Sequence, residues 1–391
     1  MDFIPYGRQN ISVDDIEAVV DTLKSDFLTQ GPAVVNFEKS VARYCGAKHA
    51  FAVANATCAL HLAYLALGVG KGDIVWTSPN TFLATANAAV MCGADVDFVD
   101  ICPRTYNMSV ECLEHKLIEA KKIGKLPKVV APVHFAGQSC DMQQIHLLSK
   151  EYGFSIVEDA AHAIGGRYLD EPIGSCQYSD IAIFSFHPVK IVTTAEGGML
   201  MTNSSELAAK IGLLRTHGMT RDESLMTKES EGPWYYQMID LGYNYRITDM
   251  QCALGLSQIS RLDEFVAKRH AVLRRYEELL SDCFEVVLPH QFDKSYSGLH
   301  LYPIVVPANK RRVVFEYLRN NDIGVNVHYI PVYLQPYYQK MGFKKGYCPN
   351  AEAYYNGAIS LPMYPDLTEE QIKYICEQIK KSLNKVNKDS L

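Results

Sequence analysis

Several kinds of chemistry are missing from this sequence. It has no H-E-x-x-H and no Cys/His cluster at zinc spacing, so no metal site is expected. It has no G-x-S-x-G elbow, and no Walker A spacing with its lysine. The 11 cysteines, scattered from Cys45 to Cys376, form no C-x-x-C pair and are odd in number. A chain this long needs no disulfide staples, so reduced thiols in a cytoplasm are expected. Positive charge is in slight deficit, with 38 Lys and Arg against 44 Asp and Glu. A net charge of −6 offers no basic field for nucleic acid, and it is too mild for an acidic disordered tail. Apolar runs stop well before the roughly 20 residues of a membrane span. The opening MDFIPYGRQN has no basic region ahead of an apolar one, so no signal peptide is expected.

What is present reads as a globular protein, with 48% apolar and 21% charged residues over 391 positions. At about 100–200 residues per domain, two domains are expected. Ile16, Val19, Val20 and Leu23 fall at i, i+3, i+4 and i+7 behind a possible Ser12 cap, predicting a first helix. Short apolar runs then alternate with helical stretches: 49–54, 73–78, 95–100, 128–135, 154–160, 180–186 and 197–202. That alternation predicts an α/β domain with a mostly parallel sheet, whose ligands gather at the carboxyl ends of the strands. From about residue 250 the pattern changes. One long helical stretch over 253–280 leads to strands at 299–306 and 324–332, with a helix between them. A last helix follows a Thr368–Gln371 capping box. The division is therefore a large domain over 1–250 and a smaller α+β domain over 251–391. Residues 219–237 form the best loop candidate, one that could cover a site.

Four segments could carry chemistry, and each has an ordinary alternative. In Ser185–Gly198 a lysine follows an apolar strand among few other charges. Desolvation there would lower the pKa of Lys190 and make it a Schiff-base nucleophile, or it is one surface lysine among many. In VEDAAHA (157–163), Asp159 could pair with the ring nitrogen of a pyridine cofactor, or could cap a helix. ANATCAL (54–60) joins a strand to a helix, whose first N–H groups could hold a phosphate; such caps are also common without a ligand. Phe82 follows a strand and turn residues, and could stack on a flat ring or be core.

The order phosphate loop, aromatic, aspartate strand, lysine strand, together with LTQGPAVVNFE (28–38), GYNYRITDMQCALGLSQ (242–258) and ISLPMYPDLTEEQ (359–371), resembles the DegT/DnrJ/EryC1/StrS sugar aminotransferases over nearly the whole chain. The resemblance implies the type I aminotransferase fold and pyridoxal 5′-phosphate, alternating with its pyridoxamine form. It implies Lys190 as the cofactor anchor and proton shuttle, Asp159 on the ring nitrogen and Phe82 against the ring. Ala56, Thr57 and Ser185 would hold the phosphate, with Asn244 reaching in from a second subunit. His162 stands where many members have Gln contacting the ring hydroxyl. Relatives with His at the Lys190 position dehydrate their substrates; the lysine here implies transamination. The wording of 185–198, 158–163 and 327–339 is most similar to members that use L-glutamate to aminate C4 of a UDP-linked 4-keto-6-deoxy-N-acetyl sugar. In these, Tyr6, Thr29, Gln30, His328 and Tyr329 would line the sugar-nucleotide pocket. A homodimer with shared sites is implied, with neither nucleic acid nor membrane as partner. A related aminotransferase with another keto sugar is the alternative. A non-catalytic regulator of this type usually carries a DNA-binding module, for which this sequence has neither spare length nor a basic patch.

Overall fold

The computed structural model describes residues 2–389, with side chains for 2–384. A seven-stranded sheet organises the first half of the chain. Its strands are β1 (His49–Val53), β2 (Ile74–Thr77), β3 (Asp95–Phe98), β4 (Val129–Ala131), β5 (Ser155–Asp159), β6 (Ile181–Ser185) and β7 (Gly198–Thr202). Their spatial order is β1-β7-β6-β5-β4-β2-β3. The four pairings from β6 to β3 are parallel, and β7 runs antiparallel to both its neighbours. All seven strands expected from the alternating runs are present.

Both faces of this sheet are covered, which is why its central strands carry continuous apolar runs, with polar residues mainly at their ends. Along β6, Ile181 and Ile183 enter one core with α3 (Ala56–Ala66) and α7 (Ser205–Leu214). Ala182 and Phe184 enter the opposite core with α2 (Pro32–Cys45), α8 (Asp249–Ile259) and α9 (Leu262–Leu280). The helices α4 (Ala84–Met91), α5 (Val110–Lys122) and α6 (Met142–Tyr152) complete the crossovers.

A separate apolar core gathers in the last third. It packs the antiparallel pair β8 (Tyr302–Val305) and β9 (Ala358–Leu361) with α10 (Arg311–Asn320) and α12 (Glu369–Asp389); α11 (Pro349–Gly357) lies between α10 and β9 in the chain. Ile4 joins this core from the start of the chain. The two regions are tied along α9: Leu262, Phe265 and Val266 pack in the sheet core, whereas Val272, Leu273, Tyr276 and Leu280 pack in the second. Among the described residues no helix is long and apolar enough to cross a membrane, and no group of three metal-ligating side chains occurs.

Two expectations need correcting. The segment 324–332 is not a strand; it pairs only through one bridge, Asn326 with Ser360. The stretch 253–280 is not one helix but α8 and α9, divided at Ser260–Arg261. The first helix, α1 (Val13–Leu23), is present. It forms where expected, on a Ser12–Asp15 capping box, but its periodic apolar residues point outward: Ile16 is 56% and Leu23 54% exposed. Its buried residue is Asp15, which accepts hydrogen bonds from Ser257, Gln258 and Arg261. Residues 219–238 form a loop held by a two-residue antiparallel pairing.

Candidate active site

The carboxyl ends of β1, β2, β5 and β6 open into a cavity of about 630 Å³. This is where a mostly parallel sheet presents its strand ends and helix N-termini together. From β1 the chain turns into α3, capped by Asn55, whose Oδ1 accepts the Cys58 N–H at 2.9 Å. The first N–H groups of α3, at Ala56 and Thr57, have no intrahelical acceptor and lie at the cavity edge. Gly198 permits this placement. A Cβ there would lie 2.6 Å from the Asn55 carbonyl carbon and 2.7 Å from the Ala56 nitrogen. Ser185, at the end of β6, lines the same corner.

Asp159 ends β5 and is buried. No helix follows it, so it does not cap one. Its Oδ1 accepts the Ala161 N–H at 3.1 Å, and its Oδ2 accepts the Thr85 hydroxyl at 2.6 Å. Burial raises its pKa, opposed first by the Thr85 hydrogen bond. Lys190 lies in the turn between β6 and β7 and lines the cavity. Burial pushes its amine down to about 7, although the Asp159 charge acts in the opposite sense. It is therefore not an ordinary surface lysine. Phe82 is 60% exposed and borders the cavity, so core packing does not explain it.

The opposite wall comes from distant parts of the chain. Tyr6 packs against His328 with ring centroids 5.6 Å apart, and His328 Nδ1 meets Ser360 Oγ at 2.8 Å. The Tyr329 hydroxyl lies 3.2 Å from His162 Nε2. His300 stands beside His162, ring centroids 4.5 Å apart. Its backbone is fixed by the buried guanidinium of Arg269, whose Nη1 donates to the carbonyls of Leu299, His300 and Met363. Burial pushes His328 down to about 3 and holds His162 and His300 well below the usual histidine range. These imidazoles are neutral at physiological pH. His162 Nδ1 is buried without a partner.

The structure thus brings together Tyr6, Ala56, Thr57, Phe82, Asp159, His162, Ser185, Lys190, His328 and Tyr329. It does not bring Thr29, Gln30 or Asn244 to this cavity within one chain. All three are exposed, Thr29 bridges Thr248, and Asn244 bridges Thr216. Gln30 instead lines a second cavity of about 220 Å³ with Arg215 and Arg246. The sequence reading missed Thr81, Thr85 and His300. The threonines sit in a small-residue stretch and His300 in an apolar run, where neither carries a local signal.

The DegT/DnrJ/EryC1/StrS aminotransferase family model matches residues 9–380. The UDP-4-amino-4,6-dideoxy-N-acetyl-beta-L-altrosamine transaminase of Campylobacter jejuni is 38% identical, covering 98% of this chain and 99% of that protein. The Bacillus subtilis spore coat polysaccharide biosynthesis protein SpsC is 39% identical, covering 97% and 96%. Helicobacter pylori PseC, an aminotransferase involved in the biosynthesis of pseudoaminic acid, superposes with a TM-score of 0.90 at 30% identity, covering 98% and 100%. The putative sugar aminotransferase Spr1654 from Streptococcus pneumoniae, solved in PMP and PLP forms, superposes at 0.90 and 0.88 with 30% and 29% identity, covering 98% or more of each chain.

A mixed sheet covered on both faces, with a lysine and a carboxylate lining the cavity at its strand ends, together with these neighbours, defines a pyridoxal-phosphate aminotransferase of the type I fold. The chain belongs to the DegT/DnrJ/EryC1/StrS family and is a sugar aminotransferase. Its residues fit the cofactor. The cavity combines a helix N-terminus for a phosphate, a buried carboxylate for a ring nitrogen, an unpartnered imidazole nitrogen and an amine held near neutrality.

Proposed function

We propose that the enzyme transfers the amino group of L-glutamate to C4 of a UDP-linked 4-keto-6-deoxy-N-acetyl sugar. The products would be UDP-4-amino-4,6-dideoxy-N-acetyl-β-L-altrosamine and 2-oxoglutarate, on the route to pseudaminic acid for flagellin and other surface glycans, in the cytoplasm. The observation that carries this reading is the two-sided cavity. Lys190 and Asp159 lie on the sheet side, and Tyr6, His328 and Tyr329 line the same cavity of about 630 Å³ from the other. The name of the Campylobacter relative supports the particular sugar, and that of the Helicobacter neighbour supports the route.

In this reading Ala56, Thr57 and Ser185 would hold the cofactor phosphate, Phe82 would stack on the ring, and His162 would reach the ring hydroxyl. Bound pyridoxal phosphate supplies an electron-accepting ring and an aldehyde carbon that carries the amino group between donor and ketone. Lys190 Nζ takes the proton from the α-carbon of glutamate and later returns one to C4 of the sugar. An amine near 7 can do both, because its protonated and neutral forms coexist at working pH. Asp159, held ionised, would face the ring nitrogen and keep that nitrogen protonated. Tyr6, His328 and Tyr329 orient the sugar, and the nucleotide supplies binding energy remote from the reacting carbon.

The second subunit enters here too. Asn244 is exposed, and so is the apolar face of α1, a pattern suited to a homodimer interface. We assign Asn244 to the partner's cofactor phosphate and Thr29 and Gln30 to the partner's sugar nucleotide. The reading as two domains, 1–250 and 251–391, accompanies this proposal, with α9 as the tie between them. The spore coat relative favours a second reading, the same transfer to another keto sugar. Incubation of UDP- and dTDP-linked 4-keto sugars with glutamate, with product stereochemistry read by NMR, decides between them. Equal efficiency on free 4-keto sugars would remove the nucleotide from the proposal.

A further inference from the structure

Asp159 is held by a pair of threonines that no local sequence signal marks. Thr85, on the first turn of α4, is fully buried; its Oγ1 lies 2.6 Å from Asp159 Oδ2. Thr81, in the turn leading from β2, is also buried, and its Oγ1 lies 2.7 Å from Thr85 Oγ1. The direction of these bonds follows from proton counting. An ionised carboxylate only accepts, so the single Thr85 proton goes to Asp159. Thr85 is then left as acceptor, and Thr81 must be its donor. The other carboxylate oxygen is already occupied by the Ala161 N–H.

We propose that Thr81 and Thr85 form a two-hydroxyl relay that keeps Asp159 ionised and aimed at the cofactor ring nitrogen, with Thr85 as a positioning residue for transamination. The inference rests on the assignment of Asp159 made above. Burial by itself favours the neutral acid, and a neutral acid could not keep a ring nitrogen protonated. A hydrogen bond to a charged acceptor is stronger than one to a neutral acceptor. The relay therefore favours the ionised form at the position where burial opposes it. It also fixes the carboxyl rotation, because both oxygens are tied to different elements: Oδ1 to the turn after β5, Oδ2 to α4. Thr85 lies 74 residues before Asp159, so the contact exists only once β2 and β5 stand on either side of β4.

The test uses the full chain in two forms. In the holoenzyme, Thr85→Val keeps the shape and removes the donor; kcat with glutamate should fall about ten-fold or more while KM for glutamate stays within two-fold, roughly the worth of a bond to a charged group. In the cofactor-free chain, binding of pyridoxamine phosphate is followed by calorimetry across pH. The pH below which binding weakens should move upward in Thr85→Val, since its carboxyl takes up a proton more readily. Thr85→Ser should restore both readouts, and Thr81→Val should shift them in the Val direction by less. A wild-type pH limb in Thr85→Val, or a Thr85→Ser as impaired as the valine, would show that the methyl group and not the hydroxyl matters, overturning the relay. If Thr85→Val does not fold, the serine and the Thr81→Val variants decide by the same readouts. Failure of the wild-type chain to bind pyridoxamine phosphate would instead count against the parent assignment.

Discussion

The two walls of the cavity are built in opposite ways. The sheet side takes its groups from strand ends and one helix N-terminus, all within residues 55–190 and all on one framework of backbone hydrogen bonds. The opposite wall takes Tyr6, His300, His328 and Tyr329 from three separated stretches, held by side-chain contacts such as those of Ser360 and Arg269. The first arrangement carries Lys190 and Asp159, the two groups proposed above for the transamination chemistry. The second can change one side chain at a time without disturbing the sheet. In the proposed function, reaction chemistry falls to the sheet side and substrate choice to the opposite wall.

The largest effect is expected at Lys190. Lys190→Ala should fold, lack the visible absorbance of the cofactor-loaded protein, still accept the pyridoxamine form, and lose at least about 10²–10⁴-fold in turnover. An unchanged band with full turnover would place the anchor at another lysine. Asp159→Asn fills the same space without the charge and should slow the glutamate half-reaction about a hundred-fold, with a smaller effect on cofactor binding. A half-reaction at wild-type speed would leave Asp159 only a structural role.

The third test asks whether the cavity wall ends with one chain. After exchange of subunits is demonstrated, Lys190→Ala is mixed with Asn244→Ala. About half the dimers are then mixed, and action of Asn244 across the interface leaves one intact site in each, so activity returns to roughly a quarter of wild type. Exchange without recovery would place Asn244 in its own chain's site. The exposed face of α1 and the absence of Asn244 from its own cavity both point to recovery.

A pH experiment examines the sheet side alone. Lys190 is held at about 7 against an ordinary 10.5. Between those values the unfolded chain binds a proton that the folded chain has released, so stability rises with pH through that window. The stability of the cofactor-free wild type, measured against Lys190→Met, should be level below about pH 7 and climb from there toward 10.5. A difference independent of pH would mean that the amine is solvated. The smallest effect is expected on the opposite wall. Tyr329→Phe removes the hydroxyl beside His162 and should cost about 1 kcal/mol, or five-fold, in kcat/KM for the sugar. An equal loss in the glutamate half-reaction would contradict the separation of the two walls.

Much of the sheet side was legible in the sequence because its signals are local. A strand's apolar run, the turn after it and the helix cap beyond it lie within a few residues of one another. The Asn55 cap, the β5 end at Asp159 and the β6–β7 turn carrying Lys190 could each be located on that basis. On the opposite wall, Tyr6, His328 and Tyr329 were reached through family resemblance alone, and His300 was not reached. The stretch 324–332 looked like a strand because its apolar residues alternate. Only tertiary structure shows that no partner pairs with it beyond Asn326.

The sequence by itself determined the α/β alternation, the positions of the strand ends and the first helix with its cap, since each follows from local periodicity and hydrogen-bonding side chains. Tertiary structure alone decided which face of α1 was buried. Periodicity locates an apolar stripe without saying what covers it, and here Asp15 turns inward because Ser257, Gln258 and Arg261 on and beside α8 satisfy its carboxylate. The meeting of Thr85 with Asp159 was decided in the same way. A threonine in an alanine-rich helix has no distinguishing local environment until the crossover from β2 sets its hydroxyl against the end of β5.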